Sequence, residues 1–185
     1  MLTVKPANEE EKQQKEKEAE ETQVPTTGQP VKRVPLYRFE EVALPKFLQK
    51  KGLQVYPLIR EAKLTSHFEQ IDPVSEYSPI FDAYIKTIDS EVFIELRPYA
   101  RTAFIHTRER IYVMLSKINY YRTIKKATAF LFLIFYIRPG DDLTRLELLV
   151  EQMKKEFQPA ISNGLLQIEQ VEITQDEYNN IAEGE

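Results

Sequence analysis

The sequence predicts an α/β sandwich built on a mixed sheet, and three observations carry that expectation. Residues 80–88 and 91–96 are two β-rich runs joined by a short turn around Asp89 and Ser90, the pattern of an antiparallel hairpin. Residues 129–137 form a continuous apolar run rich in Phe and Ile, as expected for a central strand covered on both faces. Helical stripes bracket that run. A hairpin cannot belong to a purely parallel sheet, so the sheet must be mixed.

Taken in order, the folded chain is expected to begin near Val34. Phe39, Val42, Ala43, Phe47 and Leu48 suggest an amphipathic helix, with Pro45 as a break or kink and Gly52 as its end. Residues 53–64 read as extended, with Pro57 marking an edge or bulge. A polar, turn-rich stretch through Asp72, Pro73, Ser75 and Pro79 leads to the hairpin. Within it, Phe81, Ala83 and Ile85 should share an apolar face with Val92, Ile94 and Leu96. The other face carries Asp82, Tyr84 and Lys86 beside Phe93, Glu95 and Arg97. If Ile88 and Asp89 form a two-residue turn, Thr87 pairs with Ser90 and Asp82 falls opposite Glu95. A turn at Asp89 and Ser90 instead makes the two acids diagonal neighbours.

Residues 107–122 follow as a helix, with Ile111, Met114, Leu115, Ile118 and Tyr121 on one stripe. After the apolar strand, Arg138 to Asp141 close it, and residues 143–157 form a second helix through Leu146, Leu149, Val150 and Met153. Gly164 precedes another strand-like run to Ile173. Thr174 with Glu177 three residues later is a capping-box signal for a short C-terminal helix.

Composition narrows the chemistry. The 185 residues contain no cysteine, which excludes disulfides, thiolate metal sites and a cysteine nucleophile and fits a cytoplasmic protein. Five glycines, with no phosphate-loop or nucleophile-elbow pattern, exclude the common nucleotide-binding and hydrolase signatures. The longest apolar run, residues 127–137, is too short to span a bilayer as a helix, so no membrane partner is expected. Residues 1–30 carry 4 Lys and 7 Glu, which leaves the remainder, with 21 basic and 22 acidic residues, nearly neutral. With so little apolar surface to offset ordering entropy, residues 1–33 are expected to be a disordered acidic tail or linker, and residues 34–185 a single domain.

Two carboxylates facing each other across a hairpin repel, and a divalent cation removes that penalty. Asp82 and Glu95 fit such an arrangement. Behind them, residues 97–126 hold Arg97, Arg101, Arg108, Arg110, Lys117, Arg122, Lys125 and Lys126 against one acid, Glu109. A basic block of this kind is the footprint of a phosphate backbone, and the interleaved Tyr99, Tyr112 and Tyr120 could stack on bases. Tyr121 lies on the apolar stripe and reads as core. His67 and His106 have no partner at metal-ligand spacing, so zinc is not expected.

The stretches Ser78-Pro79-Ile80-Phe81-Asp82 and Phe93-Ile94-Glu95-Leu96-Arg97, within an element order covering roughly residues 36–173, resemble the PD-(D/E)XK restriction-endonuclease-like superfamily. The resemblance implies a restriction-endonuclease-like α/β/α sandwich. It also implies Mg²⁺, or Mn²⁺ in its place, held by Asp82, Glu95 and the Leu96 carbonyl, with Glu41 or Glu40 added from the first helix. Phe81 replaces the motif's Pro. Arg97 stands at the family's Lys position, where a guanidinium clamps phosphate but cannot give up its proton to activate water.

The expectation is therefore a Mg²⁺-dependent nuclease acting on DNA. Asp82, Glu95 and Arg97 would be its catalytic residues, and Arg101, Arg108, Arg110 and Lys117 would hold the nucleic acid. The alternative is a catalytically inactive nucleic-acid-binding or protein-assembly module on the same fold, alone, as a homodimer or with a protein partner.

Overall fold

In the structure, a computed structural model, residues 2–7, 12, 34–66, 79–99 and 104–184 are described. Their strands are β1 (Leu2–Pro6), β2 (Leu58–Ser66), β3 (Ile80–Lys86), β4 (Glu91–Pro98), β5 (Ala129–Ile137) and β6 (Leu166–Glu172). Their main helices are α1 (Leu36–Lys51), α2 (Phe104–Lys125), α3 (Leu143–Glu156), α4 (Gln158–Ser162) and α5 (Gln175–Glu183).

The strands form one six-stranded sheet in sequence order. β1 to β4 run antiparallel to their neighbours, whereas β4, β5 and β6 are parallel. The chain is thus mixed α/β. Each parallel step needs a crossover, and α2 and α3 supply them on the same side of the sheet. Their apolar stripes, Ile111, Met114 and Ile118 with Leu146, Val150 and Met153, pack on Phe93, Leu131, Leu133 and Phe135. α1 and α5 cover the opposite face, where Phe39, Leu44, Phe47 and Ile181 meet Ile85, Ile94, Ile134 and Tyr136. Both faces of β5 are therefore dry, which is why its sequence is an unbroken apolar run.

Local signals set the element ends. α1 runs through Pro45, which is exposed, instead of breaking there. The proline removes only the bond to the carbonyl of Glu41, itself on the solvent side. Gly52 then stops the helix in the left-handed region, with φ 69°. Asp142 caps α3 by accepting from the Thr144 and Arg145 amides, and the expected Thr174–Glu177 capping box opens α5.

Two expectations are corrected. The acidic tail was to span residues 1–33, but Leu2–Pro6 add an edge strand to β2, Val4 packs against the core and Ala7 is buried. The β-forming Leu2-Thr3-Val4 borrows a ready-made ladder from β2, an advantage that the charge of the following residues conceals. Residues 8–11 and 13–33, and the turn-rich stretch at 67–78, lie outside the described residues.

The second correction concerns Phe81, which joins the cluster under α2 and packs on Phe93 at 4.9 Å, while Ala83 and Ile85 face α1. The β2–β3 ladder pairs Arg60 with Ala83 and Ala62 with Phe81, but passes over Glu61 and Asp82. Glu61 adopts φ 51° there, so the alternation of both strands slips by one residue.

Candidate functional site

The hairpin register pairs Ala83 with Ile94 and Lys86 with Glu91, and the Thr87 amide donates to the Ser90 carbonyl. Ile88 and Asp89 are therefore the two-residue turn. Extended by one step, this register sets Asp82 level with Glu95. The regular ladder ends at that step. The Leu96 amide, which would otherwise continue it, donates to Asp82 Oδ2 at 2.6 Å.

Both carboxylates are buried, at 3% and 1% exposure. The hairpin face that carries Glu95 with Tyr84 and Phe93 lies under α2. Burying a carboxylate requires compensation, and Glu95 has it from two guanidinium groups. Arg97 Nη2 lies 3.1 Å and Arg110 Nε 3.4 Å from Glu95 Oε1. Arg110 also donates through Nη2 to the Ile80 carbonyl, tying the first turns of α2 to the start of β3.

On the α1 side, Tyr136 near the end of β5 is fully buried and its ring stacks on Phe39, with centroids 6.1 Å apart. Burial raises its phenol pKa well above the ordinary value; Glu40 and Asp82 push the same way, while Arg138 and Arg97 oppose them. The hydroxyl thus keeps its proton. Arg138 lies over the Phe39 ring and donates to the Tyr99 carbonyl. Glu41, the metal ligand expected from the first helix, is exposed, and it is Glu40 whose charge reaches Tyr136. Leu96 contributes its amide to Asp82 and its side chain to the core beneath α1.

The basic block does not form one patch. Arg108 and Arg110 lie in the first turns of α2, beside the end of β4, whereas Arg122 and Lys125 are in its last turn, about 20 Å away at 1.5 Å per residue. Arg108 pairs with Glu156 at 3.8 Å, Lys117 is buried, and Arg101 lies outside the described residues. Tyr112 bonds Glu156, Tyr120 is exposed and Tyr99 is buried, while Tyr121 is in the core as its stripe suggests. His106 is exposed, and His67 lies outside the described residues.

Sequence reasoning missed Glu91. It is buried at the other end of β4 and accepts from the hydroxyls of Tyr84 and Tyr121. The signal was present in Tyr84, which the hairpin register places beside Glu91 on one face, and in Tyr121 on the stripe above them.

The implied Mg²⁺ can be tested against the donor set. Mg²⁺ needs carboxylate oxygens facing a common point. Here Asp82 Oδ2 is turned to a backbone amide and Glu95 Oε1 to two guanidiniums, which already provide the positive charge. Among the described residues, no three His, Cys, Asp or Glu side chains are grouped to hold a metal ion. As arranged, one oxygen of each carboxylate is engaged by donors of the protein itself. No helix among the described residues is long and apolar enough to cross a membrane. The chain matches no family model, no curated protein and no solved structure.

Proposed function

We propose that the protein is a non-hydrolytic nucleic-acid-binding module on a restriction-endonuclease-like scaffold, gripping the phosphate backbone with arginines at the carboxyl ends of its parallel strands. The observation that carries this reading is Glu95 clamped between Arg97 and Arg110. A carboxylate in that position holds two guanidinium forks in fixed orientation, and a planar fork matches the oxygens of a phosphate. Arg138, the residue after β5, and Arg108, on α2, extend the same end of the sheet. In open α/β sheets, the crevice outside the strands' carboxyl ends is the usual ligand site.

Fluorescence anisotropy with a labelled DNA oligonucleotide tests this. Affinity should fall steeply as salt rises, and Arg97→Ala or Arg110→Ala should weaken it, with no cleavage in Mg²⁺ or Mn²⁺. Undetectable binding at low salt would reject the reading. A Mg²⁺-dependent nuclease is the second reading, favoured by the level placement of Asp82 and Glu95 where the hairpin ladder opens. Cleavage that is lost in both Asp82→Ala and Glu95→Ala would replace the first reading with the second.

A further inference from the structure

The second half of the basic block, Arg122, Lys125 and Lys126, lies at the opposite end of the sheet from Arg97 and Arg110. Three connections meet there. Lys86 pairs with Glu91 and the Glu91 amide donates to the Thr128 carbonyl, so the corner between α2 and β5 adjoins the β3–β4 turn. Leu58 pairs with Ile85, which brings the connection from α1 to β2 to the same end. Residues 50–58, 86–90 and 122–128 together hold Lys50, Lys51, Lys86, Arg122, Lys125 and Lys126 against one acid, Asp89.

Two features of this end are not explained by the fold. Of the six large aliphatic side chains exposed among the described residues, four are here: Ile88 at 94%, Val55 at 74%, Ile124 at 48% and Leu58 at 37%. Single apolar residues are ordinary on a surface, whereas a group of them rimmed by polar residues marks a contact site. Ile88 is the extreme case. Its turn is held by the Thr87 amide on the Ser90 carbonyl and by the Ser90 amide on Thr87 Oγ1, and neither bond needs an isoleucine. The second feature is Lys126, which follows α2 with φ 50°, a conformation that glycine or asparagine adopts at less cost.

We propose that this end of the sheet docks on the surface of an anionic lipid bilayer. Ile88, Val55 and Ile124 enter the boundary between headgroups and acyl chains, and Lys86, Arg122, Lys125 and Lys126 lie beside the negative headgroups. Apolar insertion and electrostatic attraction are the two contributions that together hold a peripheral protein on a membrane. The chemistry separates a bilayer from other partners. Five of the six cations are lysines, which the cores of protein interfaces exclude, and the exposed tips are aliphatic instead of rings that stack on bases. Such a contact needs no membrane-spanning segment, and it does not depend on the nucleic-acid reading.

Cosedimentation of the full chain with vesicles tests this, using phosphatidylcholine alone and an equimolar mixture of phosphatidylcholine and phosphatidylserine. The chain should bind the mixed vesicles and much less the neutral ones, and added salt should release it. Ile88→Ser should keep the wild-type Tm and weaken binding by about tenfold, the scale of one buried aliphatic side chain. Lys86→Ala with Lys125→Ala should weaken it by about twentyfold, about fivefold for each charge. Lys126→Asn should weaken it without lowering Tm, which separates a surface role from a structural one. Arg97→Ala, at the far end, should bind vesicles as the wild type does. No binding to the mixed vesicles, or binding unchanged in Ile88→Ser and in the double lysine variant, would overturn the proposal. So would DNA affinity that falls in the double lysine variant of a chain that ignores vesicles, since that would assign this end to nucleic acid. Vesicle binding that depends on Ile88 in a chain without DNA affinity would support the lipid surface and reject the nucleic-acid reading.

Discussion

Asp82 Oδ2 takes the backbone N–H of Leu96 at 2.6 Å, so an acid on one strand terminates the ladder of its partner strand. A side chain here stands in for a carbonyl, and the strands can part without orphaning a buried amide. Asp82→Ala should therefore cost about 1–3 kcal/mol, the range for leaving a buried donor unsatisfied. Asp82→Asn, whose amide oxygen can still accept, should recover most of that loss. Urea denaturation of the two variants checks the order, and equal stability in both would show that the Leu96 bond contributes nothing.

Glu95 neutralises Arg97 and Arg110 in a nearly dry site, so removing its charge strands two guanidiniums. Glu95→Gln should destabilise by about 3 kcal/mol, the lower end of the range for breaking a buried ion pair, because both arginines keep some contact with solvent. Arg110→Met should cost less, since Arg97 still pairs with Glu95. In the double variant the two effects should not add, and a double-mutant cycle in denaturant measures the coupling.

The relationship between these two acids was legible in the chain. A turn limited to Ile88 and Asp89 leaves little freedom of register, and counting outward from Thr87 and Ser90 brings Asp82 to Glu95. Their burial was not legible. It depends on the crossover α2 lying over that face, a tertiary fact to which Phe93 and Tyr84 gave only an apolar hint. Phe81 turned to the unexpected face because Glu61, a non-glycine residue, adopts a positive φ that no sequence rule assigns to it. β1 escaped notice for a different reason. Five residues beside a long acidic run have too little pattern of their own, and their strand exists only because β2 offers an edge.

α5 is held at its start by the Thr174–Glu177 box and by Lys46, whose ammonium lies 2.7 Å from Glu177. Partial burial raises the Glu177 pKa, but bonds from Lys46 and Thr174 outweigh it and leave the carboxyl below its ordinary 4.5. A carboxylate with a lowered folded pKa adds stability above the unfolded value, and that stability is lost as pH falls through the folded one. Glu177→Gln should thus lower Tm at pH 7 and narrow its gap from the wild type below pH 4.5. Thr174→Ala should cost about 0.5–2 kcal/mol, typical of a lost N-cap, and a gap from Glu177→Gln that is constant from pH 7 to pH 3 would reject the linkage.

Tyr84 and Tyr121 converge on buried Glu91, and both phenols are pushed above the ordinary 10.0, chiefly by burial and then by their bonds to that carboxylate. A group whose folded pKa exceeds its unfolded value binds its proton more tightly in the native state. Its contribution to stability is complete below pH 10 and is lost as pH rises beyond it. The wild-type Tm should therefore decline above that pH more steeply than exposed lysines and tyrosines alone would cause. Tyr84→Phe and Tyr121→Phe each remove one donor from Glu91, at about 1.5–3 kcal/mol for a hydrogen bond to a charged group, and each should flatten the alkaline decline. Ultraviolet titration near the phenolate band gives the second check, because these two hydroxyls should ionise only as the protein unfolds. If both titrate reversibly near pH 10 in the folded protein, the Glu91 cluster does not stabilise the fold in this way.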